Sequence, residues 1–286
     1  MFDKIQLVYT GTSNQRERFT LAHGSMKRVA YPATVFVLHH QIFGMILIDT
    51  GYSVGMKRES GKFVYMMYRQ MIGSKVDTDV LLDKVRPKDI ALIVLSHFHP
   101  DHIGGCSLFP KTPYISSRAI ESLANRSTWS QLRKGYFAKL FSAVQVDSYI
   151  EDKPLIPLIN SVVGMEYGYD ILGDGSLIAF ATPGHAQGHY SFIIKTLDGP
   201  ICYAVDASWH IESMNDARHP SRIVSLFVDD YAAMIQSIDM LKDLSTAEPE
   251  IPIVFCHCVK SHEKLQAFFE KGRRTEYECF KNNYIP

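Results

Sequence analysis

Three imidazoles and a carboxylate fall within one short run, Ser96-His97-Phe98-His99-Pro100-Asp101-His102-Ile103-Gly104-Gly105. Side chains two apart on an extended segment point the same way, so His97 and His99 can grip one ion. Pro100 forces a change of direction, and Asp101 and His102 then open a new element from which they can face a second ion. Imidazole and carboxylate donors suit zinc, iron or manganese, and a run without thiolates argues against a closed structural zinc site. A second cluster is Thr182-Pro183-Gly184-His185-Ala186-Gln187-Gly188-His189. His185 follows a strand and a tight turn and can reach the same rim. His189 ligates, supports a ligand from behind, or is simply a satisfied structural histidine, and the supporting role is favoured over ligation. Asp206 ends an apolar run at Val205, where a carboxylate can bridge two cations, although an aspartate there is ordinarily a turn former. His257 ends the last apolar run in the same manner.

These residues need strands to deliver them. Ala91 to Leu95 reads as a buried strand ending at Ser96, Ser176 to Ala181 as a strand stopped by Pro183-Gly184, and Ile253 to Phe255 as a strand running into Cys256-His257-Cys258. Val35 to Gly51 reads as a hairpin whose second strand, Met45 to Ile48, stops at Asp49. Ser191 to Ala207 repeats that plan, its second strand stopping at Asp206. The echo suggests two similar halves, about 1–150 and 151–286. Ser117 to Phe141 is expected to be helical, and Asp230 to Leu244 carries apolar residues at helical spacing. Strands alternate with helices and mix with hairpins, which predicts an α/β architecture with mixed sheets. Four strand ends then each present a His or Asp, and open α/β folds bind ligands along one rim.

The block His97-x-His99-x-Asp101-His102, with Pro183-Gly184-His185-x-x-Gly188-His189, Asp206 and His257, resembles the metallo-β-lactamase superfamily. Asp49-Thr50-Gly51 after an apolar strand is similar to that superfamily's N-terminal marker, and the likeness runs from about Val35 to His257. Within the superfamily the chain looks most like the N-acyl homoserine lactone lactonases. The resemblance implies one domain over 1–286, a four-layer αβ/βα sandwich of two mixed sheets flanked by helices, with metals at one edge. It implies His97, His99 and His185 on one ion, Asp101, His102 and His257 on the other, and Asp206 between them. The ions would be two divalent cations, zinc first and iron or manganese next, acidifying water and polarising a substrate carbonyl. The implied activity is hydrolysis of a lactone, ester or thioester, with an N-acyl homoserine lactone as the leading substrate. A hydroxyacylglutathione-type thioesterase and a metal-retaining regulatory protein are the alternatives. Asp101 is the candidate for proton transfer to the leaving group. Asp49 is the candidate for orienting a ligand histidine, against a simple turn-capping role through Thr50-Gly51.

The chain departs from that pattern at two places. Lactonases of this kind commonly carry tyrosine three residues after the bridging aspartate, and here that residue is Trp209, whose indole offers one N–H donor and no acidic hydroxyl. Trp209 is therefore expected to bind substrate through its apolar face. Cys258 stands where aspartate often follows the last histidine, and Cys256 and Cys258 are expected to point away from His257 as buried fillers. The Met- and aromatic-rich Phe63 to Ile72 is expected to be a core helix, or else to receive an acyl chain or a second subunit. Arg126 to Tyr136 could place cations near the site or form a solvated face.

Composition narrows the partners. The 286 residues carry 30 basic and 30 acidic side chains, and this neutral balance argues against a nucleic-acid binder. No apolar run is long enough for a membrane span, and the first residues lack a basic-then-apolar leader. Five scattered cysteines do not form a disulfide framework. A cytoplasmic enzyme acting on a small acyl substrate, possible as a homodimer, is the expectation.

Overall fold

The computed structural model describes residues 1–141, 146–159 and 161–282. Thirteen strands form two half-sheets. The first runs β6 (Val146–Tyr149), β5 (Tyr114–Ser116), β4 (Ile90–Val94), β3 (Gly44–Ile48), β2 (Arg28–His40) and β1 (Phe2–Arg16), with β13 (Glu276–Phe280) on the far edge of β1. The second runs β7 (Leu155–Pro157), β8 (Tyr167–Asp170), β9 (Leu177–Ala181), β10 (Tyr190–Thr196), β11 (Gly199–Val205) and β12 (Ile253–Phe255). Phe2↔Thr196 joins β1 to β10 and so joins the two sheets. Both sheets are mixed: β3, β4, β5 and β6 pair in parallel, as do β11 and β12, and the other pairs within the second sheet are antiparallel.

Side-chain alternation explains the layering. Phe36, Ile46 and Ile48 of the first sheet and Phe192, Ile194 and Tyr203 of the second share one core between the sheets, where Phe36 stacks on Tyr203 at 3.9 Å. Their neighbours turn outward. Val35, Val37 and Leu47 pack with the helix Lys62–Ile72 and its surroundings, while Ile193, Cys202 and Ala204 pack against Leu241 and Leu244 of the helix Tyr231–Ala247. At its end β4 is buried on both faces, Ile93 toward the outer core and Val94 toward the core between the sheets, and so it reads there as an apolar run. The order helix, sheet, sheet, helix is the expected sandwich.

The echoed hairpins are β2–β3, closing at His40↔Gly44, and β10–β11, closing at Thr196↔Gly199. The helix expected from Asp230 begins at Tyr231, with the Asp230 carboxylate accepting from Ala233 N. The single helix expected over 117–141 is instead three short ones, Ala119–Ala124, Thr128–Arg133 and Ala138–Phe141. Ser127 caps the second of these, and Gly135 at φ +78° turns the chain before the third, so local capping and a left-handed glycine override the apolar spacing. In Lys62–Ile72 only Tyr65 and Tyr68 are buried; Phe63, Met66, Met67 and Met71 are exposed, so it is not a core helix. Among the described residues, no helix is long and apolar enough to cross a membrane.

Candidate metal centre

Five strand ends on one rim supply the site. Asp49 follows β3, the block from Ser96 to His102 follows β4, His185 follows β9, Asp206 follows β11 and His257 follows β12. Two of these turns are left-handed at a non-glycine residue, Asp49 at φ 66° and Val205 at φ 50°. Aspartate tolerates that region, but a β-branched valine does not, so Val205 is strained on the order of 1–3 kcal/mol. The flanking bonds hold it: Cys256 N donates to Val205 O at 2.8 Å, and Asp206 N donates to His189 Nε2 at 3.2 Å.

The ligand atoms converge in two groups. His97 Nε2 lies 3.2 Å from His99 Nδ1, which lies 3.0 Å from His185 Nε2. Tetrahedral ligands at 2.0–2.1 Å from zinc are about 3.3 Å apart, so these three nitrogens are spaced as one coordination face. In the second group His257 Nε2 is 2.9 Å from Asp206 Oδ2 and 3.4 Å from Asp101 Oδ2, and His102 Nε2 is 3.5 Å from Asp206 Oδ1. Asp206 Oδ2 is also 3.4 Å from His185 Nε2, so this carboxylate touches both groups. His102 Nε2 and Asp206 Oδ1 are buried without a hydrogen-bond partner, which protein interiors rarely tolerate unless a cation satisfies them. The donor set fits two metal ions.

In four of the five candidate ligand histidines the remaining ring nitrogen has a partner that selects the tautomer ligation needs, whereas His185 Nδ1 is buried without one. His102 Nδ1 donates to Asp49 Oδ2 (2.7 Å), His97 Nδ1 to Ser96 Oγ (3.0 Å), His99 Nε2 to the Lys134 carbonyl (3.1 Å), and His257 Nδ1 to the Pro32 carbonyl (2.5 Å). In the neutral ring each leaves its other nitrogen as the one that can face a cation, a place a proton takes at His102 and His257 when no cation is there. Burial pushes His97 and His185 well below the usual histidine range, which keeps them neutral. Burial alone would do the same to His102 and His257. Their carboxylate neighbours, Asp206 foremost, outweigh it and raise both. Asp101 is partly buried, yet His102 and His257 hold it down to about 2.

The side chains of all seven expected ligand residues therefore come together, and the Asp49 carboxylate accepts from His102 Nδ1. The Asp49 carboxylate also accepts from Ser96 N and Ser96 Oγ, linking His102 to His97. Both ring nitrogens of His189 are engaged within the protein: its Nδ1 donates to the Thr182 carbonyl, and its Nε2 accepts from Asp206 N. Gly184, at φ +121°, lies so close to the helix Tyr231–Ala247 that a Cβ would sit 2.0 Å from Met234 N. The helix start grips the His185 loop, with Asp230 N donating to Gly184 O and Ser237 Oγ to Pro183 O.

One reading is corrected. Cys258 faces the outer core as expected, but Cys256 lies in the core between the sheets, and its Sγ is within 4.8 Å of ligand atoms of His102, Asp206 and His257. Strand alternation stops at Phe255, so it does not govern the residues that follow. The Pro32 carbonyl went unnoticed in the sequence; Ser96 was read only as a strand end, and Tyr136, which stacks on His99 at 5.0 Å, only as part of a region that could lie near the site.

The centre lies at the floor of a cavity of about 600 Å³, whose walls include Phe19, Tyr31, Tyr68, Met71, Leu226 and Phe227. Trp209 lines it, half-buried, with its ring edge-on to His185 at 5.7 Å. Its N–H donates to Asp206 Oδ2 at 3.3 Å, so the one polar bond available to the indole goes to a ligand. Of the cations between 126 and 136, Arg133 and Lys134 reach the cavity. Lys134 Nζ is held by the Val228 carbonyl (2.5 Å).

The profile of the metallo-beta-lactamase superfamily matches residues 35–257, and the chain belongs to that superfamily. It is 28% identical over 165 residues to the N-acyl homoserine lactonase AttM of Azorhizobium caulinodans, a stretch covering 57% of this chain and 58% of that protein. An N-acyl homoserine lactonase from Bacillus sp. is 26% identical over 234 residues, or 79% of this chain and 82% of the relative. The chain thus spans little more than half of the first of these and most of the second. An N-acyl homoserine lactone hydrolase solved with N-hexanoyl-L-homoserine at its catalytic metal centre superposes with a TM-score of 0.67 at 23% identity, covering 92% of this chain and 96% of that one. AidC, a dizinc quorum-quenching lactonase, superposes at 0.58 and 16% identity, covering 87% and 85%. These superpositions establish the shared fold.

Proposed function

We propose that this chain is a dinuclear metal-dependent hydrolase that opens a lactone ring, with an N-acyl homoserine lactone as its substrate. The observation that carries the reading is the pair of ligand groups sharing Asp206 at the floor of a largely apolar cavity. The lactonase names of the relatives support the choice of substrate. His97, His99 and His185 would hold one ion, Asp101, His102 and His257 the other, and Asp206 would serve both. Two divalent cations, zinc on this donor set, supply Lewis acidity toward water and toward the substrate carbonyl when bound.

The chain's own groups do the rest. The apolar walls take the acyl chain and exclude bulk water from the carbonyl. The ionised Asp101 accepts a proton from the attacking water and returns it to the ring oxygen as the carbonyl C–O bond breaks, so lactone plus water gives the hydroxy acid. Trp209 forms part of the acyl wall. A panel of lactones, aryl esters and thioesters, assayed on protein of measured metal content, tests the proposal. Turnover should be greatest on the N-acyl lactone and should vanish on chelation. Full activity without bound metal, or a preference for thioesters, would refute it.

A further inference from the structure

Among the described residues lining the cavity, two buried hydroxyls belong neither to the ligands nor to the Tyr52–Tyr68 pair: those of Tyr31 and Thr20. Tyr31 sits in β2 beside Pro32, whose carbonyl holds His257, so its backbone is tied to the flank of the centre. Its hydroxyl is 2.7 Å from Thr20 Oγ1 and 3.1 Å from His210 Nε2. Thr20 Oγ1 is 2.8 Å from the same imidazole nitrogen and donates to the Glu17 carbonyl at 3.0 Å. The His210 ring stands edge-on to Tyr31, with centroids 5.4 Å apart at 89°. Nothing in the hydrolysis described above uses this cluster.

A phenol oxygen has one proton and two lone pairs, and Thr20 and His210 take two of those three positions. Thr20 gives its proton to the Glu17 carbonyl, so in the 2.7 Å contact the phenol donates to Thr20 Oγ1, and His210 takes a second position. The position left over is a lone pair. A secondary amide answers it through its N–H. A carboxylate has no proton to give, and an ammonium would be costly to bury against a neutral cluster. A plain ester has no N–H to offer.

We propose that Tyr31, positioned by Thr20 and His210, is a specificity-determining residue that recognises the amide of an N-acyl substrate. This rests on the lactone-opening reading above. The test uses metal-loaded wild type and Tyr31→Phe with two ligands of similar size, N-hexanoyl homoserine lactone and γ-decalactone, which lacks the amide. Turnover is measured for each, and each is also titrated against tryptophan fluorescence, since Trp209 lines the cavity. Tyr31→Phe should raise both KM and the titrated Kd for the amide ligand by about five- to tenfold, the effect of one neutral hydrogen bond, with kcat nearly unchanged and γ-decalactone unaffected. Equal shifts for both ligands, no shift for either, or a fall in kcat at constant KM would overturn the proposal. If Tyr31→Phe lowers the melting temperature, Thr20→Ala is read instead. It frees the phenol from one holder without altering the ring, and discrimination between the two ligands should fall. Should wild type turn over neither lactone, the hydrolase reading fails, while the titration still decides whether Tyr31 selects the amide.

Discussion

Replacing Asp49 by asparagine separates the orientation of a ligand from the ligand itself. The backbone at Asp49 is left-handed, a region asparagine adopts as readily as aspartate, and the two side chains have the same shape. Fold and turn should therefore survive. The native carboxylate accepts three hydrogen bonds, from Ser96 N at 2.8 Å, Ser96 Oγ at 2.7 Å and His102 Nδ1 at 2.7 Å. In Asp49→Asn the carbonyl oxygen can keep Ser96 N, but the amide nitrogen meets Ser96 Oγ and His102 Nδ1 as a donor. His102 must then leave Nδ1–H unpaired or move its proton to Nε2, the atom that ligation needs bare. Loss of such an outer partner ordinarily lowers metal affinity about 10- to 100-fold, roughly 1.4–2.7 kcal/mol. Competition of zinc against a chromophoric chelator at neutral pH, with elemental analysis and a melting curve, measures this. The ion held by His102 should be the one weakened. Wild-type affinity in a folded Asp49→Asn protein would refute the reasoning.

His262 gives a pH signature remote from the centre. Its Nε2 meets the Phe255 carbonyl at 2.9 Å and its Nδ1 meets the Tyr9 hydroxyl at 2.6 Å, and burial holds it down to about 3. The unfolded chain binds this proton below about 6.5 and the folded chain does not, so stability is present above that pH and falls as pH drops, by about 1.4 kcal/mol per unit. Urea melts from neutral pH down to about pH 5 should show stability falling, with other buried histidines adding to the slope, and His262→Gln should flatten it by one proton. Gly184→Ala forces a Cβ into Met234 N at positive φ and should cost about 3 kcal/mol or more, with loss of metal on the His97–His99–His185 group; a near-neutral melt would show that the loop yields. Trp209→Ala should raise KM for long acyl substrates, whereas Trp209→Phe, which keeps the wall and loses the bond to Asp206, should weaken metal binding by about fivefold or less. An unchanged chain-length profile in Trp209→Ala would remove the indole from the acyl wall.

The candidate ligands were readable as a group because each follows an apolar run, but Asp206 and His257 carried little signal alone, and their sorting onto two ions came from the family resemblance. Asp49 was readable for the same reason, although its partner His102 lies 53 residues on. What could not be read were partners chosen by the approach of distant strands. The Pro32 carbonyl that fixes His257 is 225 residues away, and Thr20 meets His210 across 190. A backbone carbonyl carries no mark in the sequence of which histidine will reach it. The helix expected from Ser117 failed for a different reason. Its apolar spacing is real, but a capping serine and a left-handed glycine sit inside it, and those local choices prevailed.

The ligands come from both halves of the sandwich. His97, His99, Asp101 and His102 follow β4 in the first sheet, while His185, Asp206 and His257 follow β9, β11 and β12 in the second. The strand register between the sheets is joined at Phe2↔Thr196. Ions gripped from both sides would therefore act as rivets across the seam. By mass action, free metal at a hundredfold excess over its dissociation constant adds about 2.7 kcal/mol to the folded state. That is a large share of the margin on which an ordinary protein survives proteolysis. Metal starvation would then thin out the molecules themselves, through faster turnover of the loosened chain, in addition to silencing those that remain.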